Sequence, residues 1–138
     1  MSSFLHFLTH IGDALLGLIG GWDSTLSLLL AMMSLDYLSG IFVGCVGKSP
    51  KSATGCLDSR ASFRGLLQKG LLLMVIAVAA QIDSTLNGSF VRATTAWFYI
   101  TNEAISVLEN AALAGVPMPT KLLKVLGKLH DKQTPRYD

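Results

Sequence analysis

Residues 26–46 read LSLLLAMMSLDYLSGIFVGCV, a run of 21 residues that is apolar over most of its length. As an α-helix it would extend about 31 Å at 1.5 Å per residue, which is close to the thickness of the hydrocarbon core of a bilayer. It contains one charged residue, Asp36, about 15 Å from its end at Val46. The stretch therefore predicts a membrane-spanning helix with an acid near its middle.

Further apolar segments lie on both sides of this helix. Residues 66–86 and 94–115 are each long enough to span a bilayer. Residues 4–22 are also long enough, but they include two histidines and an aspartate, so they either cross the membrane or lie in its interface. Residues 120–132 alternate apolar and lysine faces at helical spacing. The sequence predicts one all-α membrane domain over residues 1–138, with three to four transmembrane helices and a C-terminal amphipathic helix.

The charges support this reading by their scarcity and by their placement. Only 14% of the residues are charged, against roughly 25% in soluble domains, which excludes an ordinary soluble globule. Ten of the eleven basic residues fall in two segments, and short basic segments stay cytoplasmic. We therefore expect the C-terminus in the cytoplasm and an even number of crossings between the segments, which comprise Lys48, Lys51, Arg60, Arg64 and Lys69, and Lys121, Lys124, Lys128, Lys132 and Arg136.

Asp36 shares a helical face with two glycines. Gly40 and Gly44 follow at i+4 and i+8, and a G-x-x-x-G pattern lets two helix backbones approach closely. An aspartate at this depth costs about 2.5–3.5 kcal/mol on insertion scales, so it must be protonated, paired or turned to a polar interior. The face formed by Asp36, Gly40 and Gly44 is predicted to mediate either self-association or packing against another span of the same chain.

A polar stripe runs along the third apolar segment. Its members fall on one side of the predicted helix at mid-membrane depth, where polar groups need partners or water. The stripe is predicted to line a lumen or to form hydrogen bonds between protomers. A hydrogen-bonded bundle within one chain, or a helix lying partly in the interface, remains the alternative. Its members are Asn102, Glu103, Ser106, Glu109 and Asn110.

The tail helix and its lysines have two interpretations. Lys121, Lys124, Lys128 and Lys132 occupy the side opposite its leucines. Such a helix can lie on anionic inner-leaflet lipids, with each lysine contributing roughly 1 kcal/mol. Alternatively, the tail is solvated and serves only to set topology.

Signatures of catalysis and of cofactor binding are absent from the sequence. It contains neither a phosphate-binding G-x-x-x-x-G-K-[ST] loop nor a G-x-G-x-x-G fingerprint. Its two cysteines, Cys45 and Cys56, lack the further cysteines or histidines of a zinc site. The basic loop lacks the interleaved aromatics of a nucleic-acid surface. We expect no enzyme activity, no cofactor, no metal and no nucleic-acid partner.

Several motifs together resemble one protein family. Trp22-Asp23 and residues 35–41 (LDYLSGI) are followed by a basic loop, Phe63-Arg64-Gly65-Leu66, and Ile82-Asp83 near the end of the next span. Residues 98–110 (FYITNEAISVLEN) form the most specific part, and Gly115-Val116-Pro117 comes after them. Over roughly residues 20–130, the chain resembles the phage holins grouped with clostridial toxin-secretion holins.

This resemblance implies a non-enzymatic function in the bacterial cytoplasmic membrane. Members of the family accumulate there, assemble into homo-oligomers and open lesions. Endolysin, or a toxin in the secretion branch, then crosses as a passenger rather than a stable partner. A small ion or solute channel, and an antiholin or other structural membrane partner, are the competing functions.

Overall fold

The structure is a computed structural model, and it describes residues 2–50 and 58–133. These residues form five helices and no strand: α1 (Ser2–Leu18), α2 (Ser24–Cys45), α3 (Ser59–Leu86), α4 (Phe90–Ala114) and α5 (Thr120–Gln133). The all-helical fold class is therefore confirmed for the described part of the chain. Lys51, Cys56 and Arg136 lie outside it, as do the side chains at the end of α5, including that of Lys132.

Two helices in the described residues, α2 and α3, are long and apolar enough to cross a membrane. The sequence predicted three to four such helices. α1 has 17 residues and would extend about 26 Å, which is short for a hydrocarbon core of about 30 Å. α4 has 25 residues, but Arg92, Glu103 and Glu109 lower its hydropathy. By length and composition, the count of candidate spans is two.

Capping side chains set where the helices begin. Asp23 precedes α2 and accepts a hydrogen bond from the Leu26 N–H at 2.7 Å. Asp58 accepts one from the Arg60 N–H at 2.8 Å, so α3 begins at Ser59, seven residues before the predicted start at 66. Such side-chain acceptors satisfy N–H groups that have no partner within the helix.

Asp83 caps the start of the next helix, α4, in the same way. It is buried near the end of α3, and its two carboxylate oxygens accept from the backbone N–H groups of Val91 (3.0 Å) and Arg92 (2.8 Å). Asn87, in the left-handed conformation at φ 51°, ends α3. This turn starts α4 at Phe90 rather than at the predicted residue 94, and it fixes α4 antiparallel to α3.

The core is formed by α2, α3 and α4. α2 lies along α4, α3 packs on α4 as well, and α2 and α3 touch little. We call the end of this bundle that holds Asp23, Asp83 and Arg92 the outer end, and the end next to the loop between α2 and α3 the inner end. The buried cluster consists of two residues from each helix: Leu29, Met33, Leu72, Ile76, Ala96 and Ile100.

Arg92 ties the connection between α1 and α2 to the outer end of α4. Its guanidinium donates to the carbonyl oxygens of Ile19 (2.6 Å) and Gly21 (3.1 Å) and forms an ion pair with Asp23 at 2.6 Å. The hydrogen bond from Arg92 lowers the pKa of the Asp23 carboxyl below its ordinary value of 3.8, although partial burial opposes this shift. The single basic residue outside the two basic segments therefore has a structural role.

α1 leaves the bundle after this connection. The Leu18 carbonyl at its end accepts a hydrogen bond from the Gln81 side chain at 3.0 Å, and the helix otherwise contacts α3 little. Large apolar side chains are exposed around it, including Phe4, Phe7, Leu8 and Leu15. An apolar helix with so little packing in the protomer fits contact with lipid or with a membrane partner.

Replacing Arg92 with glutamine should loosen the outer end. We expect the free energy of unfolding in detergent to fall by about 1–3 kcal/mol, mainly because two partly buried carbonyls lose a charged donor. The ion pair itself should contribute less, because the Asp23 side chain is 45% exposed and solvent screens it. Arg60→Gln, at an exposed position, is the control for loss of one positive charge. Equal unfolding free energies in the two variants would contradict the role of Arg92.

Candidate functional site

A cluster of three charged side chains lies inside the apolar bundle. The Lys69 Nζ donates to Asp36 Oδ2 at 2.9 Å and also to the Glu103 carboxylate. The three side chains are 13%, 10% and 7% exposed for Lys69, Asp36 and Glu103. Each comes from a different helix, α3, α2 and α4 respectively. We call this group the charge cluster; it carries two formal negative charges and one positive charge.

Asn110 extends the cluster toward the inner end. Its Nδ2 donates to Asp36 Oδ1 at 3.2 Å and to Ser39 Oγ at 2.9 Å, and the residue is buried. Glu103 and Asn110 are seven residues apart, so they lie on one face of α4 two turns from each other. The face of α2 that carries Asp36 and the polar stripe of α4, which the sequence identified separately, therefore meet within one chain.

The cluster and its neighbours satisfy their own hydrogen-bonding needs. Within the part of the chain that the structure describes, no buried side-chain nitrogen or oxygen lacks a hydrogen-bond partner. Leaving such a group unpaired in an apolar interior costs several kcal/mol, so this pairing is what makes the polar residues tolerable at that depth. The sequence left open whether partners within the chain or between chains would supply the pairing, and for Glu103 and Asn110 the chain itself supplies it.

The remaining members of the stripe are half-buried. Asn102 and Ser106 line an open groove of about 490 Å³ between α3 and α4, together with Gln68 and the edge of the charge cluster. Glu109 is also half-buried, on the inner part of α4. The stripe thus divides into a part that faces the bundle interior and a part that reaches its surface. Its predicted role in a lumen stays a prediction.

The two glycines of α2 are turned toward the rest of the same chain. A Cβ atom placed on Gly40 would lie 3.8 Å from Asn110 Nδ2. Gly40 and Gly44 line a small cavity of about 60 Å³ with Gly65 of α3. In the protomer, close packing against another span of the same chain accounts for Gly40. Self-association through this face stays a prediction.

The position of Lys69 in the structure differs from the one that the sequence predicts. The sequence groups it with the basic residues that set topology, whereas its ammonium lies between two carboxylates. A usable signal was present, because Lys69 lies inside the predicted span of residues 66–86, where a charged side chain needs a partner. The other described members of the group are exposed, as expected for surface cations: Lys48, Arg60, Arg64, Lys121, Lys124 and Lys128.

The chemistry available to this site is electrostatic. No group of three or more histidine, cysteine or acidic side chains that could hold a metal ion occurs among the described residues. The charge cluster can hold three helices together, and it can change their arrangement if its charge balance changes.

Comparison with known proteins decides the family. The bacteriophage holin family matches residues 13–131, which include α2, α3, α4 and the whole charge cluster. The chain belongs to the bacteriophage holin family. The resemblance seen in the sequence motifs is therefore confirmed. Holins are a non-enzymatic membrane class, so the expectation that the chain is not an enzyme is confirmed as well.

Individual relatives support this membership over most of the chain. A protein of Clostridium perfringens, named an uncharacterized 14.9 kDa protein in the nagH 3′ region, is 41% identical over 128 residues, covering 91% of this chain and 92% of its own. A probable holin of Bacillus phage phi105 is 34% identical over 118 residues, covering 82% of each chain. No solved structure matches this holin-family chain. Family membership and the two apolar helices indicate a membrane protein.

Substitution of Gly40 distinguishes packing within the chain from packing between chains. Gly40→Ala should be tolerated, because its Cβ would make ordinary van der Waals contact with Asn110. Gly40→Leu should separate α2 from α4 and lower the free energy of unfolding by about 1–3 kcal/mol, as overpacked sites do. Thermal unfolding of both variants in detergent measures this. An unchanged unfolding temperature for Gly40→Leu, with loss of cross-linked oligomers, would instead assign Gly40 to an interface between copies.

Proposed function

We propose that this member of the holin family oligomerises in the bacterial cytoplasmic membrane and forms lesions that release endolysin, or a toxin, across it. The observation that carries the proposal is the family match over residues 13–131, joined by the relative named a probable holin. The buried charge cluster supports it physically, because the cluster gives an otherwise apolar bundle a polar interior that can be rearranged.

The proposed topology has three crossings. α4 crosses with α2 and α3, because it packs on both and its most buried polar residues, Glu103 and Asn110, face inward. α1 lies in the outer interface in this arrangement, since it is short and packs little. The loop between α2 and α3 and the tail are then cytoplasmic, in agreement with their basic residues.

Self-association is supported by the groove between α3 and α4. Gln68, Asn102 and Ser106 give this groove polar lining at membrane depth, and the surrounding surface is apolar, with Leu71 and Val75 on its wall. A polar surface is costly against lipid tails, so water or another copy of the chain is the better neighbour for this groove. We place it on the lumen or at the contact between protomers.

The C-terminal helix fits a contact with the inner leaflet. Lys121, Lys124 and Lys128 are exposed, as is Val125. Five residues separate the end of α4 from the start of α5, so α5 lies close to the cytoplasmic surface in the proposed topology. Anionic lipids are the partner that this combination of charge and apolar surface fits.

Inducible expression in bacteria, with and without an endolysin, tests the proposed function. We expect an abrupt loss of membrane potential in both cultures, and lysis only where endolysin is present. Membrane potential is followed with a fluorescent dye and lysis by culture turbidity. The matched control is the endolysin expressed alone.

Two outcomes would replace the proposal. Discrete single-channel currents without release of a cytoplasmic enzyme would identify a small ion or solute channel. Harmless expression together with a co-purifying partner would identify an antiholin or a structural membrane protein.

Ser106→Leu tests the placement of the groove. The substitution should slow dye release from vesicles containing the protein by about tenfold, because it replaces a polar lining group with an apolar one. Folding should be unaffected, since Ser106 is half-buried at the surface of the protomer. Thr101→Leu is the matched control: Thr101 is an exposed residue of α4 that does not line the groove. Equal release rates in the two variants would remove the groove from the lumen.

A further inference from the structure

The two halves of α3 are held in different ways. Residues 59–71, at the inner end, include no buried residue. In this half, Lys69 bonds across the bundle to α2 and α4. The inner half of α3 therefore depends on an ionic contact rather than on apolar burial.

The outer half of α3 is firmly packed. Leu72, Ile76, Ala79 and Ala80 are buried there. Asp83 adds two hydrogen bonds to backbone N–H groups of α4. This half combines apolar burial with hydrogen bonds to backbone atoms. We therefore expect it to stay in place if the other half of α3 moves.

Open space separates the inner half of α3 from α2. The small cavity lined by Gly40, Gly44 and Gly65 borders Lys69. An apolar groove of about 570 Å³, lined by Tyr37, Leu66 and their neighbours, also borders Lys69. Few side chains would have to be displaced if this half of the helix moved.

We infer that Lys69 is a latch that holds the inner half of α3 against α2 and α4, and that its release lets this half swing away about the outer end. The movement would uncover the carboxylates of Asp36 and Glu103 at mid-membrane depth. This inference rests on the proposed function only in its last step. Under that function, the uncovered acids would face the lesion or a neighbouring copy of the chain.

The charge balance of the charge cluster predicts which of its variants should open. Removing Lys69 alone leaves two carboxylates buried without their cation, which is strongly destabilising. Replacing all three charged groups with neutral groups of similar shape removes that penalty, because a neutral site has no uncompensated charge, but it also removes the ionic contact that holds the inner half of α3. A latch built on this contact should therefore open in both the single and the triple variant.

Spin-label distances across the bundle test this in the full chain. The inner pair is the native Cys45 on α2 with Phe63→Cys on α3, in a Cys56→Ser background; both positions are exposed. The outer pair is Ser24→Cys with Leu86→Cys, in a background with both native cysteines replaced by serine, again at exposed positions. In lipid nanodiscs, Lys69→Met should lengthen the inner distance by about 5 Å and leave the outer distance nearly unchanged. Phe63 lies about 24 Å along α3 from Ala79 at about 1.5 Å per residue, so a rotation of about 12° at Ala79 gives this displacement.

Three further variants make the result specific. Arg64→Met removes a positive charge from an exposed position of the same helix and should leave both distances as in the wild type. Lys69→Met combined with Asp36→Asn and Glu103→Gln should also lengthen the inner distance, because the ionic contact is absent although no charge is left uncompensated. If Lys69→Met does not fold, as a changed outer distance would show, Lys69→Gln removes the charge but keeps a donor and should give the same opening.

The outcomes separate the latch from the proposed function. An unchanged inner distance in the Lys69 variants would overturn the latch whatever the lysis phenotype. A triple variant that closes would overturn it too, because the opening in Lys69→Met would then follow from its uncompensated carboxylates. Opening in both Lys69→Met and the triple variant supports the latch. If that pattern appears while none of the variants lyses cells in the presence of endolysin, the latch stands and the proposed function fails.

Discussion

The structure depends on one electrostatic constraint: a single ammonium group must serve two carboxylates inside an apolar bundle. Lys69, Asp36 and Glu103 come from three different helices, so satisfying them fixes the rotation of each helix about its axis. Charges in a medium of low dielectric constant are expensive unless they are paired, and an incorrect rotation would leave at least one of them unpaired. Apolar side chains, which are interchangeable over most of these surfaces, impose a weaker requirement.

The close contact of α2 with α4 follows from the same constraint. Asn110 reaches both Asp36 and Ser39 beside Gly40, where a Cβ atom would lie in ordinary van der Waals contact with its amide, so a small residue is enough at this contact. The small residue and the aspartate therefore act together, the first by allowing the approach and the second by giving Asn110 an acceptor. The aspartate-glycine face of α2 and the polar stripe of α4 are two sides of one contact, although each resembles an interface between protomers when it is considered alone.

The sequence was sufficient for the helical class and the family, and it singles out the buried polar residues of α2 and α4, but not their partners. Asp36, Glu103 and Asn110 stand out because a polar residue in an apolar helix is energetically costly. The sequence places Lys69 at the surface, because a basic residue near the end of an apolar run is typical of a topology signal. Its true surroundings depend on the earlier start of α3, which the Asp58 cap provides, and on the rotation of three helices, which only tertiary contacts determine.

The bundle is asymmetric in a way that bears on how it could open. At the outer end, Asp83 and Arg92 bind backbone N–H and carbonyl groups, which keep their positions as long as the helices exist. In the inner half of α3, the equivalent contact is made by Lys69, which bonds to side chains, and its strength depends on charge balance. A contact between side chains can be exchanged for contacts with water or with a second copy without unfolding a helix, whereas a backbone cap cannot. Under the proposed function, the inner end is therefore the end at which a protomer can change partners first.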